Sequence, residues 1–231
     1  MKKIKAAIFD LDGTIINTLV DLANAGNTVL ERLGFPTHPV EKYNFFVGSG
    51  ILRLSRRILP DDRKDDEELV QEVFRQFNEE YGAHYMDNTC AYEGMEDTLL
   101  ILRDMGIQCA VLTNKSHEFT VPMVKKVYGE YPFAVVLGKT DRFPVKPDRG
   151  VIKHVIDEMG VTPDECIYIG DSNVDMMTAR NGEIEEIIGV SWGFRPVDEL
   201  VESGAKYIID RPDEIIDVIE KIESEKENLN D

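Results

Sequence analysis

Asp10 and Asp12 stand two residues apart at the end of the apolar run Ile4-Lys5-Ala6-Ala7-Ile8-Phe9, and Gly13 follows them. In extended chain that spacing points both carboxylates the same way. The run lacks polar alternation, as expected of a strand buried on both faces of a parallel sheet. Gly13 permits a turn that a Cβ would resist. Two crowded carboxylates are unfavourable unless a cation lies between them or one keeps its proton. A hard, oxygen-seeking cation such as magnesium resolves the conflict. Alternatively, one Asp is a nucleophile and the other a proton carrier. Plain turn chemistry at a strand end accounts for Asp-Gly as well.

Three further strand ends are polar in a related way. The run Ile107 to Leu112 leads into Thr113-Asn114-Lys115, Lys146-Pro147-Asp148 lies past the run ending at Leu137, and Cys166 to Ile169 leads into Gly170-Asp171-Ser172-Asn173-Val174-Asp175. In a parallel sheet these ends meet at one edge, where open α/β sheets bind ligands. They bring four carboxylates, a hydroxyl, an amide and an ammonium together. Phosphoryl transfer needs such a set: acids for magnesium, a lysine against phosphate oxygens, and donors for the remaining oxygens. Singly, each has a plainer reading, with Thr113-Asn114 or Asp171 as helix caps and Lys146 as a solvated lysine. Their order, each after an apolar run, favours a shared site.

The elements that must position them are of two kinds. Apolar residues at helical spacing fall at Leu19 to Leu33, Ile51 to Leu59 and Leu69 to Tyr81, so residues 17–86 are read as helices without a convincing strand. The break Val47-Gly48-Ser49-Gly50 lacks the third glycine of a dinucleotide fingerprint and reads as a loop facing the site, with Arg53 nearby as a carboxylate reader or a solvated helix residue. From Glu93 helices and strands alternate. Helices are expected over 95–105, 118–128 (Pro122 in its first turn), 150–159, 174–180, 197–202 and 213–222. Strands are expected over 107–112, 133–137, 166–169, 186–190 and 207–209, and the end from Ser224 is too polar to pack. This predicts an α/β fold: a Rossmann-like, doubly wound parallel sheet core (1–16 and 87–231) with an inserted all-helical cap domain (17–86).

The 231 residues include 44 acidic and 26 basic ones, a formal charge of −18. Such a surface disfavours nucleic acid and anionic membranes, and any anionic substrate needs local cations. Cys90, Cys109 and Cys166 lie in or beside apolar runs and read as reduced core residues. His38, His84, His117 and His154 show no zinc spacing. Met1-Lys2-Lys3 leads straight into the first strand, and no apolar run approaches a membrane span. The expectation is a soluble, cytoplasmic monomer or homodimer with a small phosphorylated substrate.

The four stretches resemble the four motifs of the haloacid dehalogenase superfamily of phosphatases. Asp10-Leu11-Asp12-Gly13-Thr14 matches the first, Thr113 the second, Lys146 the third, and Gly170-Asp171-Ser172 with Asp175 the fourth. Val47-Gly48-Ser49-Gly50, Thr113-Asn114-Lys115 and Val190-Ser191-Trp192-Gly193-Phe194-Arg195 resemble phosphoglycolate phosphatases within it. The resemblance implies that Asp10 attacks phosphorus and binds magnesium. It implies that Asp12 is the acid and base, with its carbonyl on the metal, and that Lys146 balances charge. Thr113 and Asn114 would hold phosphate oxygens, Asp171 would ligate magnesium and Asp175 would support it. Gly13, Thr14, Gly48, Arg53 and Lys115 are carried over as substrate-binding candidates. A free Asp titrates near about 3.9, so Asp12 needs cap closure and neighbouring charge to raise it.

Departures lie away from the chemistry: Asn17-Thr18 for Asp-Ser, Arg149 for proline, and Gly182-Glu183 for Ala-Gly. Pyrophosphate or another metabolite remains open as substrate. A mutase, a phosphonoacetaldehyde hydrolase using Lys42 or Lys64, and a dehalogenase fit less well. A non-catalytic phospho-acceptor module would be about half this length and lack the helical insertion.

Overall fold

The computed structural model describes residues 3–228. Strand β1 (Ala6–Phe9) lies mid-sheet and is fully buried, as its unbroken apolar run requires. The elements that follow are β2 (Ile16–Asn17), α1 (Leu19–Arg32), α2 (Ile51–Ile58), α3 (Glu67–His84), β3 (Cys90–Ala91), α4 (Met95–Asp104), β4 (Gln108–Ser116), α5 (His117–Tyr128) and β5 (Val135–Lys139). After them come α6 (Arg149–Met159), β6 (Cys166–Gly170), α7 (Asn173–Asn181), β7 (Glu186–Val190), α8 (Val197–Ser203), β8 (Tyr207–Ile209) and α9 (Glu214–Asn228). Six strands form one sheet in the order β5-β4-β1-β6-β7-β8, every pairing parallel. The chain steps one way from β1 to β4 and the other way to β6, so the switch point falls at the carboxyl end of β1.

Alternate side chains of the strands feed two apolar layers. Ala7, Phe9, Val111 and Ile169 pack with α4, α5 and α9 on one face. Ala6, Ile8, Leu112 and Tyr168 pack with α6 and α7 on the other. Helices α1 to α3 enclose a third cluster, built on the α3 stripe Val70, Val73, Phe77 and Tyr81 and joined by Phe194 from the β7–α8 segment. Asp66 caps α3 by accepting from Leu69 N at 3.1 Å. Among the described residues no helix is long and apolar enough to cross a membrane.

Several expectations need correction. Ile16–Asn17 pairs antiparallel with Cys90–Ala91, a ribbon too short for periodicity to reveal. Its strands are stitched by Asp21 at the start of α1, which accepts from Asn88 N and Nδ2 and from Thr89 N and Oγ1 at 2.8–3.0 Å. Cys90, placed on that ribbon, is exposed, while Cys109 and Cys166 are buried. Pro122 sits in the second turn of α5, where its missing N–H removes one helical bond. Helix α9 runs past Ile222 to Asn228, with Ser224 and Glu225 exposed; residues 229–231 of the polar end lie outside the described residues.

Candidate active site

Asp10, Asp171 and Asp175 bring carboxylate oxygens within 4.8 Å of one another, and all three side chains are buried. One ammonium faces them: Lys146 Nζ lies 2.7 Å from Asp10 Oδ1 and 2.7 Å from Asp175 Oδ1. Asp175 is saturated. Its Oδ1 accepts from Lys146 and from Tyr168 OH at 3.3 Å, and its Oδ2 accepts from Ser172 Oγ and N at 2.6 and 3.1 Å. Asp171 Oδ2 accepts from Phe194 N at 2.7 Å, and Oδ1 meets Thr14 Oγ1 at 3.4 Å. Asp10 Oδ1 has charge contact with Lys146 but no aligned hydrogen-bond donor, although it is buried.

Three buried acids against one ammonium leave negative charge in excess, and protons feel it. Burial and then the Asp175 charge push the Asp10 carboxyl up to about 7, more than Lys146 can offset. Asp171 is driven well above the carboxylate range by burial, then by Asp175 and Asp10. Burial favours a neutral Lys146, but Asp10 and Asp175 outweigh it and hold the ammonium protonated. A hard dication fits this set: oxygen donors only, and negative charge in excess of what Lys146 offsets. Among the described residues no turn N–H donates to the Asp12 carbonyl, which leaves it free as a further donor.

Because the folded Asp10 pKa lies above the ordinary 3.8, the stability tied to its bound proton is fully present below about pH 4 and is lost as pH rises toward 7. The metal-free protein should therefore melt at lower temperature at pH 8 than at pH 5.5. A divalent cation should raise the melting temperature more at pH 8. Thermal scans with chelator or with magnesium check this, and equal shifts at both pH values would contradict it.

Asp12 is half-buried and already engaged. Its Oδ1 accepts from Thr18 Oγ1 at 2.6 Å and from Lys115 Nζ at 3.0 Å. Lys115, buried, also donates to Tyr81 OH of α3 at 2.7 Å and lies 4.8 Å over that ring. Burial would lower the Lys115 pKa, but Asp12 and then Tyr81 reverse this and raise it. Strand β4 carries Thr113, Asn114 and Lys115 itself, its pairing with β5 shifting register between Leu112 and Ser116. Asn114 brackets the Lys146 backbone, accepting from its N at 2.8 Å and donating to its O at 3.2 Å; a longer contact reaches Gly48 O at 3.5 Å.

A cavity of about 40 Å³ lies between Asp10, Asp12, Thr113, Asn114, Lys115 and Lys146 below and Val47, Gly48, Gly50, Ile51 and Leu54 above. At about 30 Å³ of liquid volume per water, that is room for about one. A groove of about 1150 Å³ adjoins it, sharing Gly50, Ile51, Asn114 and Lys146, and here Arg53 is found, outside the inner cavity.

Gly13 and Thr14 also lie outside that cavity and back Asp171 instead. A Cβ on Gly13 (φ +87°) would come 2.3 Å from Asp171 Oδ2, and one on Gly193 would come 2.1 Å from Asp171 Cβ. The departure at Asn17-Thr18, expected to lie away from the chemistry, reaches it: Thr18 Oγ1 donates to Asp12 Oδ1 at 2.6 Å, a contact six positions along the chain that local sequence does not mark. Tyr81 and Phe194 sit in stretches already noted, but nothing local marks what a tyrosine hydroxyl or a backbone N–H will meet.

Comparison with known proteins agrees with the geometry. The sequence model of the family described as haloacid dehalogenase-like hydrolase matches residues 7–188. A phosphoglycolate phosphatase of Chromobacterium violaceum is 32% identical, covering 95% of this chain and 98% of its own. One from Thiobacillus denitrificans is 34% identical over 85% and 88%. A crystal structure from Lactobacillus delbrueckii subsp. bulgaricus, provisionally identified as a phosphoglycolate phosphatase, superposes with a TM-score of 0.87 at 32% identity, covering 94% and 99%. With four motifs at one sheet edge and this likeness along nearly its whole length, the chain is an enzyme belonging to the haloacid dehalogenase-like hydrolase family.

Proposed function

We propose that the enzyme is a phosphomonoesterase that hydrolyses a small phosphorylated metabolite, 2-phosphoglycolate first among candidates, through a phosphoryl group carried on Asp10. The observation that bears most weight is the buried Asp10 carboxylate lining the inner cavity together with Thr113 and with Lys146, whose Nζ lies 2.7 Å from it. The names of the relatives support the substrate.

Asp10 forms the new O–P bond while the ester P–O bond breaks, and Asp12 gives a proton to the leaving oxygen. Asp12 then takes a proton from the water that attacks the aspartyl phosphate, which frees phosphate and restores Asp10. One hard step becomes two easier ones. Thr18 and Lys115 hold Asp12 by Oδ1, which leaves Oδ2 to carry the proton. Lys146 and the Thr113 hydroxyl balance and bind phosphoryl oxygens. Asp10, Asp171 and the Asp12 carbonyl would hold magnesium, with Asp175 fixing Lys146 and Ser172 around them; the ion supplies positive charge against the phosphoryl oxygens. Helices α1 to α3 act as the cap that keeps bulk water out.

The test is a screen of phosphorylated metabolites with and without magnesium, with Asp10→Asn protein as the blank. Magnesium-dependent release of glycolate and phosphate is the expected result, and no release from any monoester overturns the reading. Asp12→Ala should slow kcat by about 10²- to 10⁴-fold while magnesium binding, followed by calorimetry, is largely kept. Near-normal turnover would remove Asp12 from the acid–base role.

A further inference from the structure

Lys115 lines the inner cavity, yet its ammonium is already engaged at two points. It donates to Asp12 Oδ1 at 3.0 Å and to Tyr81 OH at 2.7 Å. The two partners differ in kind. Asp12 is an acid of the site, whereas Tyr81 belongs to α3 of the inserted helices and does not line the cavity.

A lysine stem is long and flexible, so a single contact does not fix where its ammonium points. Held by Asp12 alone, it could pivot toward any anion entering the cavity. A phosphoryl group is such an anion, and it would compete with the carboxylate for the same charge. The Tyr81 hydroxyl supplies a second fixed point. Its own position is set by packing: the residue is fully buried, its ring stands edge-on to Phe119 of α5 at 5.4 Å, and the Phe77 ring lies 5.8 Å away. Asp12 Oδ1 accepts from both Lys115 and Thr18, so a swing of the ammonium would also release the carboxylate to turn. An acid must present its proton at the leaving oxygen, and a misplacement of about 1 Å costs about 10²-fold.

We propose that Tyr81 is a positioning residue for proton transfer: acting through Lys115, it keeps Asp12 turned toward the leaving oxygen, and Lys115 serves the acid instead of binding the phosphoryl group. The inference rests on the phosphomonoesterase reading and adds to it a residue of the inserted helices.

The leaving group separates this role from a structural one. An alkyl phosphate expels a basic alkoxide and needs the proton, whereas p-nitrophenyl phosphate expels a stable phenolate and does not. The test compares kcat/KM, which reports attack on the ester, for p-nitrophenyl phosphate and for 2-phosphoglycolate or whichever alkyl monoester the metabolite screen yields. The ratio of the two is independent of how much protein is folded. Tyr81→Phe, which deletes the hydroxyl and keeps the ring, should lower the alkyl value by about 10- to 100-fold, the value of a hydrogen bond to a charged group, and leave the aryl value within about threefold. With the aryl ester kcat and KM should fall together, because water attack on the aspartyl phosphate still needs Asp12 as base. Lys115→Met should lower the alkyl value at least as far, and adding Tyr81→Phe to it should cost nothing more, since the hydroxyl then has no ammonium to hold. No loss in Tyr81→Phe, equal losses on both esters, or losses that add in the double variant overturn the inference while the phosphatase reading stands. If the aryl ester is not turned over, the double variant on the alkyl ester decides alone. Wild type that hydrolyses no monoester overturns both.

Discussion

Asp10→Asn protein is expected to lose turnover by about 10⁴-fold or more while remaining folded. The amide keeps the shape of the side chain but cannot attack phosphorus. It also removes a charge from a place where burial and Asp175 already disfavour one. The metal-free variant should therefore melt at the same temperature as wild type or higher at pH 8, where the native carboxylate is forced to ionise. Acid quenching with phosphorus-labelled substrate checks the chemistry: wild type should trap label on protein, and the variant none. Label retained by the variant would move the nucleophile elsewhere. Loss of activity with a lowered melting temperature would mean that Asp10 is needed chiefly for folding.

Lys146→Met should be the more damaging change to stability. It removes the ammonium held between Asp10 and Asp175, both within 2.7 Å, and leaves carboxylates buried without it. Breaking a buried pair in this way costs about 3–5 kcal/mol, or a fall of roughly 6–20 °C in a chain of this size. Turnover should fall by about 10²- to 10³-fold, the usual loss when one group facing developing charge is removed. Adding Asp10→Asn to Lys146→Met should restore part of the melting temperature, because one stranded charge is then gone. Calorimetry on the single and double variants decides it. A Lys146→Met protein as stable as wild type would show that the ammonium does not offset the acids.

Much of this was legible before any coordinates. The apolar runs of β1, β4 and β6 are buried on both faces, a composition that few other environments permit. Each is followed at once by polar residues, so position in the chain sufficed to place Asp10, Thr113 and Asp171 at one edge. Lys115 illustrates what was not legible. Its charge suggested substrate or surface, yet it is buried between Asp12 and Tyr81, a residue 34 positions away on another element. A lysine under an aromatic ring has the same local sequence as one in water. The β2–β3 ribbon and its Asp21 stitch were hidden for a related reason: two-residue strands carry no period, and five hydrogen bonds spanning 67 or 68 positions leave no local trace. Asn114 read as a phosphate ligand, but most of its amide is committed to the Lys146 backbone.

Phe194 belongs to two neighbourhoods at once. Its main-chain nitrogen grips Asp171, while its ring is enclosed by the apolar residues of α1 to α3. Swinging those helices outward would either strand the ring in water, at about 1.5–3 kcal/mol, or drag the nitrogen away from the acid. The helical storey is thus tied through one residue to the acid beneath it.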